Sequence, residues 1–466
     1  MITTEESKPY RRIITGQERR FLFGPNAHIS LVLRLKGQVS KEALEKAVEK
    51  MLITYPQFRV RIEWDEAGVH DSTTEGAAKI PVKVYPRESD SHWKDVLNLE
   101  HAIPLRPSKG PLTRFILVKG DDTSELIVFC HHTISDGRSL EFALREVLLH
   151  LNDPERKSPE FLDVPPQTLD IFPKGSEWGR VKRGLVGRIN KNWQREKVPF
   201  DEEDLVNIWE ASWKNTSYGI EIIEFDENET KGLVEVSREN VVTLNSTLLI
   251  ALVKARIDAV GPYDGKAKVA TAVDARRRLR IDCSDAVGFY AGGSFMEFKY
   301  KESAPLWDNV RVYHKAVSKD LENNNIFETV VSHHYLDQTL VDAMSVAFYG
   351  DQIEPHQSRY SKLSAYASKK DGMVTKYLER IGGRAPDIIS TNLGKLSIPD
   401  KISGIEVERA FFTPSAGMKM EIVLGIATAS GKLTVTMNYY RGYVDANAIR
   451  RIRDRAEEIL RGLIQD

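Results

Sequence analysis

The sequence has little of what several classes of protein require. Its 466 residues include two cysteines, Cys130 and Cys283, which are too few for a disulfide framework or a thiolate metal cluster. Lysine and arginine number 66 against 67 aspartate and glutamate, so the formal net charge of -1 provides no general basic field for nucleic acid. A Gly-x-x-x-x-Gly-Lys phosphate loop and a Gly-x-Gly-x-x-Gly fingerprint are also missing, which argues against a nucleotide-dependent enzyme.

Long apolar runs are missing as well. No run approaches the roughly 18 residues that cross a bilayer. Residues 1–6 lack the basic and apolar regions of a signal peptide, so we expect a cytoplasmic protein. The length exceeds that of the usual single hydrophobic core and predicts two domains or two lobes.

The stretch 129–137 carries the most chemical information. An apolar run just before it predicts a buried strand, and apolar residues at helical spacing follow it. Two adjacent histidines, His131 and His132, therefore lie at a short loop between packed elements. Because neighbouring strand residues face opposite ways, one imidazole can face a cleft while the other packs inward. A neutral imidazole accepts protons at neutral pH, so the stretch predicts one general base.

The residues after the histidines brace this loop. Asp136 can hold it through a salt bridge or cap the next helix, and Gly137 permits a backbone turn that a side chain would block. Metal binding is disfavoured, because adjacent strand residues rarely converge on one ion and no third histidine lies nearby. A second pair, His333-His334, has Asp337 only three residues on and no following glycine, and we interpret it as unrelated to the site.

The spacing His-His-x-x-x-Asp-Gly (HHxxxDG) resembles the active-site motif of the chloramphenicol acetyltransferase-like superfamily of acyltransferases. This superfamily includes condensation domains of peptide synthetases, polyketide-associated acyltransferases, alcohol acetyltransferases and wax ester synthases. Other segments resemble further motifs of the family in the same order, at 15–21, 56–61, 105–114, 274–278, 287–293 and 388–394. The resemblance therefore extends along much of the chain.

The resemblance implies an α/β fold with two chloramphenicol acetyltransferase-like lobes. Each lobe is expected to be a mixed sheet with flanking helices, and the two form a pseudo-dimer around a central channel. We expect an N-terminal lobe at 1-170 with the HHxxxDG loop, a crossover linker at 171-215 and a C-terminal lobe at 216-466. The strand, loop and helix around Tyr439-Tyr440 repeat the order around the two histidines, as such a pseudo-symmetric pair would.

The resemblance also implies roles for individual residues. His132 is the catalytic base, whereas His131, Asp136 and Gly137 are structural, although the Gly137 amide can also face the oxyanion. Asp136 is expected to bridge an arginine, for which the sequence offers three adjacent candidates: Arg276, Arg277 and Arg278.

Two further groups of polar residues have more than one interpretation. Asn392 or Thr391 can donate to the oxyanion or line the channel, and a simple strand hydrogen bond explains either equally well. The arginine run at 276–278 can meet the phosphates of the donor, since arginine binds phosphate well, or it can form a solvated turn.

These features predict a free-standing acyltransferase that moves an acyl group from an acyl-CoA or acyl-carrier-protein thioester to a hydroxyl acceptor, in secondary or lipid metabolism. Ester formation is favoured over amide formation, because the chain lacks the adenylation and carrier modules expected around peptide-synthetase condensation domains. The alternatives are an amide-forming condensation enzyme, a wax ester or acylglycerol synthase, and a catalytically silent condensation-like binding protein.

The expected partners follow from this function. No cofactor or metal is expected to be bound, since the acyl-CoA or phosphopantetheine-linked donor is a substrate. The acceptor is a small-molecule or lipid alcohol, an acyl carrier protein is a candidate partner, nucleic acid is not, and we expect a monomer. Apolar residues in 178–193 recur at three- and four-residue steps among basic ones, which indicates peripheral membrane contact or a crossover helix packed on the protein.

Overall fold

Strands and helices are interspersed along the chain, in the α/β class that the sequence predicts. The computed structural model describes residues 9–64, 70–349, 361–369, 372–376, 385–417 and 420–465. The strands are β1 Arg11–Ile13, β2 His28–Lys36, β3 Arg61–Trp64, β4 His70–Thr73, β5 Val82–Pro86, β6 Thr113–Lys119, β7 Thr123–His131, β8 Ser217–Glu224, β9 Ala267–Asp274, β10 Ala291–Phe298, β11 Ile388–Lys395, β12 Lys401–Ile402, β13 Ile405–Thr413, β14 Ile422–Ala429 and β15 Lys432–Arg441.

The α-helices flank these strands. They are α1 Gly16–Arg19, α2 Lys41–Thr54, α3 His92–Ala102, α4 Gly137–Asn152, α5 Arg180–Glu196, α6 Glu202–Asn215, α7 Glu227–Glu239, α8 Leu244–Val260, α9 Leu306–Glu322, α10 Glu328–Tyr335, α11 Gln338–Phe348, α12 Ser361–Ala367 and α13 Ala446–Gln465. Short 3-10 helices lie at Pro56–Arg59, Leu169–Ile171, Arg276–Arg278 and Asn324–Phe327.

The first large sheet has six strands in the order β12-β13-β2-β7-β6-β5. The pair β5 and β6 is parallel and the other pairs are antiparallel, so the sheet is mixed. Helices α2 and α4 pack together and α4 contacts β2 and β7. The chain favours α2 because Ser40 caps it by accepting a hydrogen bond from the Ala43 amide at 3.1 Å, and its buried residues share one face.

The second large sheet also has six strands, in the order β10-β9-β11-β14-β15-β8. Strand β11 is parallel to both of its neighbours and the remaining pairs are antiparallel. Helices α7, α8, α9 and α13 pack beside this sheet, and α8 is buried along most of its length. Two mixed six-stranded sheets with flanking helices confirm the predicted fold class.

The two sheets meet where β13 lies against β14 and β15. The hydroxyls of Thr434 and Thr436 on β15 donate to backbone carbonyls of β13. Gly425 on β14 makes this approach feasible, because a Cβ there would lie 2.0 Å from the Phe412 carbonyl oxygen. Strands β12 and β13 are thus part of the first sheet, although they are distant in sequence from its other strands. The lobe and linker boundaries at 170 and 215 stay a prediction.

Most of segment 178–193, in which apolar residues recur among basic ones, lies in helix α5. Its second half packs on the protein, where Trp193 is 1% exposed and its indole donates to the Thr339 hydroxyl at 2.9 Å. Val181 and Leu185, near the start of the helix, are exposed. The packed half agrees with the crossover interpretation, and membrane contact stays a prediction.

No single helix in the described part of the chain is long and apolar enough to cross a membrane. Helices α7 and α8 together have the required length and composition, but the pair is bent by 97°.

Candidate active site

The HHxxxDG loop lies between β7, which ends at His131, and α4, which begins at Gly137. Backbone hydrogen bonds fix both histidines: the His131 amide donates to the Leu112 carbonyl at 2.9 Å, and the His132 amide donates to the Ala27 carbonyl at 2.8 Å. Apolar residues of the preceding strand are fully buried, so the loop is anchored in the core. The strand, loop and helix agree with the sequence prediction.

His132 lines a cavity of about 740 Å³ that is also bordered by β9, β10, β11, α10 and α11. Its Nδ1 lies 2.8 Å from the Ser135 carbonyl oxygen. A carbonyl can only accept, so Nδ1 carries the proton and Nε2 keeps its lone pair for a substrate. The imidazole packs against Phe21 and Phe289, with ring centroids 4.3 and 4.8 Å away.

The electrostatic environment keeps His132 neutral. Burial lowers the pKa of its imidazole to about 4; the Ser135 carbonyl and Asp136 act in the opposite direction, and the charge of Arg20 lowers it further. At neutral pH the side chain is therefore an unprotonated base.

His131 points away from the cavity into the core of the first lobe. Its Nδ1 accepts a hydrogen bond from the Thr133 amide at 3.2 Å, and its ring lies edge-on to His28 at 5.4 Å. Burial lowers the pKa of His131 to about 3, so this imidazole is also neutral. The two histidines thus face different ways, as alternation along a strand predicts, and the structural role of His131 stays a prediction.

Asp136 both caps helix α4 and forms a salt bridge, the two roles that the sequence left open. Its Oδ1 accepts from the Ser139 amide at 2.9 Å, which caps α4, and its carboxylate pairs with Arg276 through contacts of 2.8 and 2.9 Å. The Tyr290 amide donates a further hydrogen bond at 2.9 Å. Burial alone raises the pKa of Asp136, but Arg276 and these hydrogen bonds outweigh it and the pKa is lowered. The carboxylate is therefore ionised.

Of the three candidate arginines, Arg276 alone reaches Asp136. It is buried and also donates to Asp274 and to the Ala286 carbonyl, both at 3.0 Å. Arg277 and Arg278 are exposed and do not line the cavity. The 3-10 helix explains the difference, because three residues per turn point consecutive side chains in three directions. A donor-phosphate role for the exposed arginines stays a prediction.

Gly137 is needed for a different reason from the predicted turn. Its φ is not among the positive values found at other glycines. A Cβ at Gly137 would instead lie 2.6 Å from Leu393 Cδ2 and 2.8 Å from Phe412 Cζ. The start of α4 therefore packs so closely on these two side chains that any Cβ at this position would force them to shift.

Asn392 and Thr391 both line the cavity from β11. The Thr391 hydroxyl donates to the Leu424 carbonyl of the neighbouring strand. The Asn392 amide nitrogen contacts Asn245 Oδ1 at 3.3 Å, and its oxygen accepts from the Gly394 amide at 2.7 Å. These partners agree with the strand hydrogen-bond interpretation, and an oxyanion role stays a prediction.

The cavity wall includes residues that the sequence analysis did not assign to the site, among them Arg20 and His333. Arg20 lines the cavity beside Phe21, in the segment 15–21 that resembles a motif of the family. His333, which we interpreted as unrelated, also lines the cavity from α10, with its Nδ1 2.7 Å from the Thr329 carbonyl oxygen. A motif test could not find His333, because lining a cavity depends on packing and not on an Asp-Gly spacing.

Metal ligands do not cluster in the described ranges. Those ranges contain no group of three or more histidine, cysteine, aspartate or glutamate residues that could hold an ion. Cys130 and Cys283 are both buried and free.

Comparison with known proteins agrees with this geometry. Residues 21–159, which include the whole HHxxxDG loop, match the family described as Condensation domain. The resemblance to condensation domains is confirmed. Bacitracin synthase 3 from Bacillus licheniformis is 20% identical over 412 residues, which cover 80% of this chain and 6% of that protein. The chain spans no more than 14% of the length of the curated relatives it matches.

Solved structures show the same fold. The trichothecene 15-O-acetyltransferase TRI3 from Fusarium sporotrichioides superposes with a TM-score of 0.63 at 13% identity, covering 99% of this chain and 97% of that one. The first condensation domain of the CDA synthetase gives a TM-score of 0.62 at 12% identity, with coverages of 98% and 97%. These likenesses show the fold, and the family match supports acyl transfer or condensation as the general class of chemistry.

Proposed function

We propose that this chain is an acyltransferase that transfers an acyl group from an acyl-CoA or acyl-carrier-protein thioester to a hydroxyl, with His132 as the general base. One observation carries the proposal: a neutral imidazole lines the cavity with Nδ1 tied to the Ser135 carbonyl oxygen. The protein thereby keeps the lone pair on Nε2, the nitrogen that a hydroxyl in the cavity can reach.

The reaction needs no covalent enzyme intermediate. Nε2 of His132 removes the hydroxyl proton while the oxygen attacks the thioester carbonyl carbon, and the carbonyl oxygen takes the negative charge. When this tetrahedral intermediate collapses, the carbon–sulfur bond breaks and the imidazolium returns its proton to the leaving thiolate. The products are an ester and a free thiol, and His132 is neutral again.

The rest of the site holds this base in place. The Asp136–Arg276 pair fixes the start of α4 against the second lobe, because Asp136 caps that helix and Arg276 follows β9. Gly137 brings the same helix end against Leu393 of β11. We infer that donor and acceptor enter the cavity from opposite faces and meet at His132. We also infer that the protein is a monomer and that the reaction takes place in the cytoplasm.

Substitution of His132 tests the base. His132→Ala is expected to lower acyl transfer by about 100- to 10,000-fold, the usual contribution of a general base. His92→Ala is the matched control, since His92 also has Nδ1 against a backbone carbonyl, at 2.9 Å from Pro86 O, but does not line the cavity. Equal turnover by wild type and His132→Ala would remove the base from the mechanism, and a wild-type protein that transfers no acyl group would favour a silent binding protein.

A second candidate is an amide-forming condensation enzyme that uses a separate carrier protein. The curated relatives favour it, since their names are those of peptide synthases such as plipastatin and bacitracin synthases. Octanoyl-CoA and octanoyl-carrier protein, each offered to 1-octanol and to octylamine, distinguish the candidates by mass spectrometry of the products. Ester from the alcohol supports the first proposal, and amide from the amine alone supports the second.

A further inference from the structure

The cavity wall contains a cation that the proposed mechanism does not use. Arg20 follows α1, and its guanidinium carbon lies 4.4 Å from the ring centroid of Phe21 and 5.1 Å from that of Phe289. These are the two rings that also contact the imidazole of His132. Arg20 and the base are therefore neighbours in one cavity.

Arg20 lacks the carboxylate partner that nearby arginines have. Within the described ranges it forms no salt bridge, and its Nε is buried with no hydrogen-bond partner. The comparable ion pairs are Arg12 with Glu18, Arg19 with Asp342, and Arg276 with Asp136 and Asp274. Both aspartates that line the cavity are thus already paired with Arg276.

The other titratable groups of the described wall form no ion pair with Arg20. His333 is neutral, because burial and then the charge of Arg20 lower the pKa of its imidazole to about 3. Arg138, also in the wall, pairs with Glu141. Arg20 is itself affected, since burial lowers its pKa to about 10. Arg20 is therefore a cation beside the base that no carboxylate of the described wall contacts.

A half-buried cation without a counter-ion is costly, and stacking on two aromatic rings offsets only part of that cost. A guanidinium offers several donors in a planar fork that matches a carboxylate. We propose that Arg20 binds a carboxylate carried by one of the two substrates, so that the enzyme acts on an anionic acceptor or an anionic acyl group. This inference rests on the proposed function for the identity of the substrates, but binding tests it independently of turnover.

Isothermal titration calorimetry at pH 7 compares octanoate with 1-octanol as probes of equal chain length. Wild type is expected to bind octanoate about 10- to 100-fold more tightly than 1-octanol, the range of a hydrogen-bonded charge pair. Arg20→Met is expected to abolish this preference and Arg20→Lys to keep part of it. Arg145→Met is the matched control, because Arg145 also stacks on an aromatic ring, at 5.2 Å from Phe142, but lies outside the cavity.

Equal binding of octanoate and 1-octanol by wild type, or unchanged preference in Arg20→Met, would overturn the inference. These results are independent of acyl transfer, so a failed transfer assay with a retained carboxylate preference would overturn the proposed function and leave the Arg20 site standing.

Steady-state kinetics then distinguishes the acceptor from the donor as the source of the carboxylate. If the acceptor carries it, Arg20→Met raises KM for 8-hydroxyoctanoate and not for 1,8-octanediol. If the acyl group carries it, the variant raises KM for adipoyl-CoA and not for hexanoyl-CoA. A uniform loss of kcat would instead assign Arg20 to the reaction oxyanion, and a uniform rise in KM for every CoA donor would assign it to a donor phosphate; either result overturns the proposal.

Discussion

Breaking the Asp136–Arg276 pair should destabilise the protein more than breaking an ion pair on its surface. The pair is buried, with side chains 7% and 1% exposed, and it connects the start of α4 to the second lobe. Removal of one partner from such a pair leaves a buried charge without compensation, which costs about 3 to 5 kcal/mol. Arg276→Met is the stronger perturbation, because it leaves the buried Asp136 carboxylate without its counter-ion.

The structure refines that magnitude. In Arg276→Met, Asp136 keeps hydrogen bonds from the Ser139 and Tyr290 amides, so we expect about 3 kcal/mol, the low end of the range. In Asp136→Asn, Arg276 keeps Asp274, and asparagine still caps a helix, so the expected cost is about 2 kcal/mol. The double variant removes both charges and should cost about 2 kcal/mol less than the sum of the single variants.

Urea unfolding at pH 7 measures these values, with tryptophan fluorescence and far-ultraviolet circular dichroism followed together to check for a single transition. Lys182→Met provides the control, since Lys182 pairs with Glu328 on the surface at 2.8 Å, where an ion pair contributes under about 1 kcal/mol. The reasoning is refuted if Arg276→Met costs no more than the control, or if the single costs add without coupling.

Three further perturbations test other parts of the site. Gly137→Ala should lower the free energy of unfolding by about 1 to 3 kcal/mol, because the new Cβ would overlap Leu393. Gly187→Ala in α5 should raise it by up to about 1 kcal/mol, because a Cβ there would meet nothing within 4 Å. The midpoints of urea unfolding measure both changes. Arg20→Met should raise the unfolding free energy by about 1 to 2 kcal/mol, since it removes a half-buried charge that forms no ion pair within the described ranges, and a lower melting temperature would contradict this. The pKa of His101 is about 3 in the folded protein because of burial and is ordinarily about 6.5, so its stabilisation is present above pH 6.5 and lost as the pH falls towards 3. His101→Phe should therefore reduce the slope of unfolding free energy against pH between 4 and 5.5 by about 1.4 kcal/mol per pH unit. An unchanged slope would show that His101 does not contribute to the pH dependence of stability in this range.

Local chemistry made much of the fold predictable. The cap at Ser40, the interrupted apolar pattern between β7 and α4, and the cap at Thr243 before α8 each depend on residues within a few positions of one another. The sequence also separated the two histidines correctly, because strand alternation is a local property.

Contacts between distant segments could not be predicted in this way. Strand β13 pairs with β2 across more than 350 residues, and no pattern within 405–413 specifies that partner. The sequence offers three candidate arginines for Asp136 and does not choose between them, since the turn that points Arg276 inward depends on packing against both lobes. His333 was not predicted for the same reason, because it lines the cavity through the packing of α10. Arg20 lies in the motif-like segment 15–21, but its place beside Phe21 and Phe289 depends on the same long-range packing.

The low pKa of His132 connects the base to the unpaired arginine. A general base works best when its pKa is near the operating pH, and a value of about 4 makes the imidazole a weak acceptor. Burial causes most of the lowering and Arg20 adds to it, while Asp136 opposes it and His131 is neutral. A substrate carboxylate on Arg20 would cancel that positive charge and so raise the pKa of His132 towards neutrality. On this argument the anion does more than position the substrate, because it strengthens the base only when the cavity holds the substrate on which the base must act.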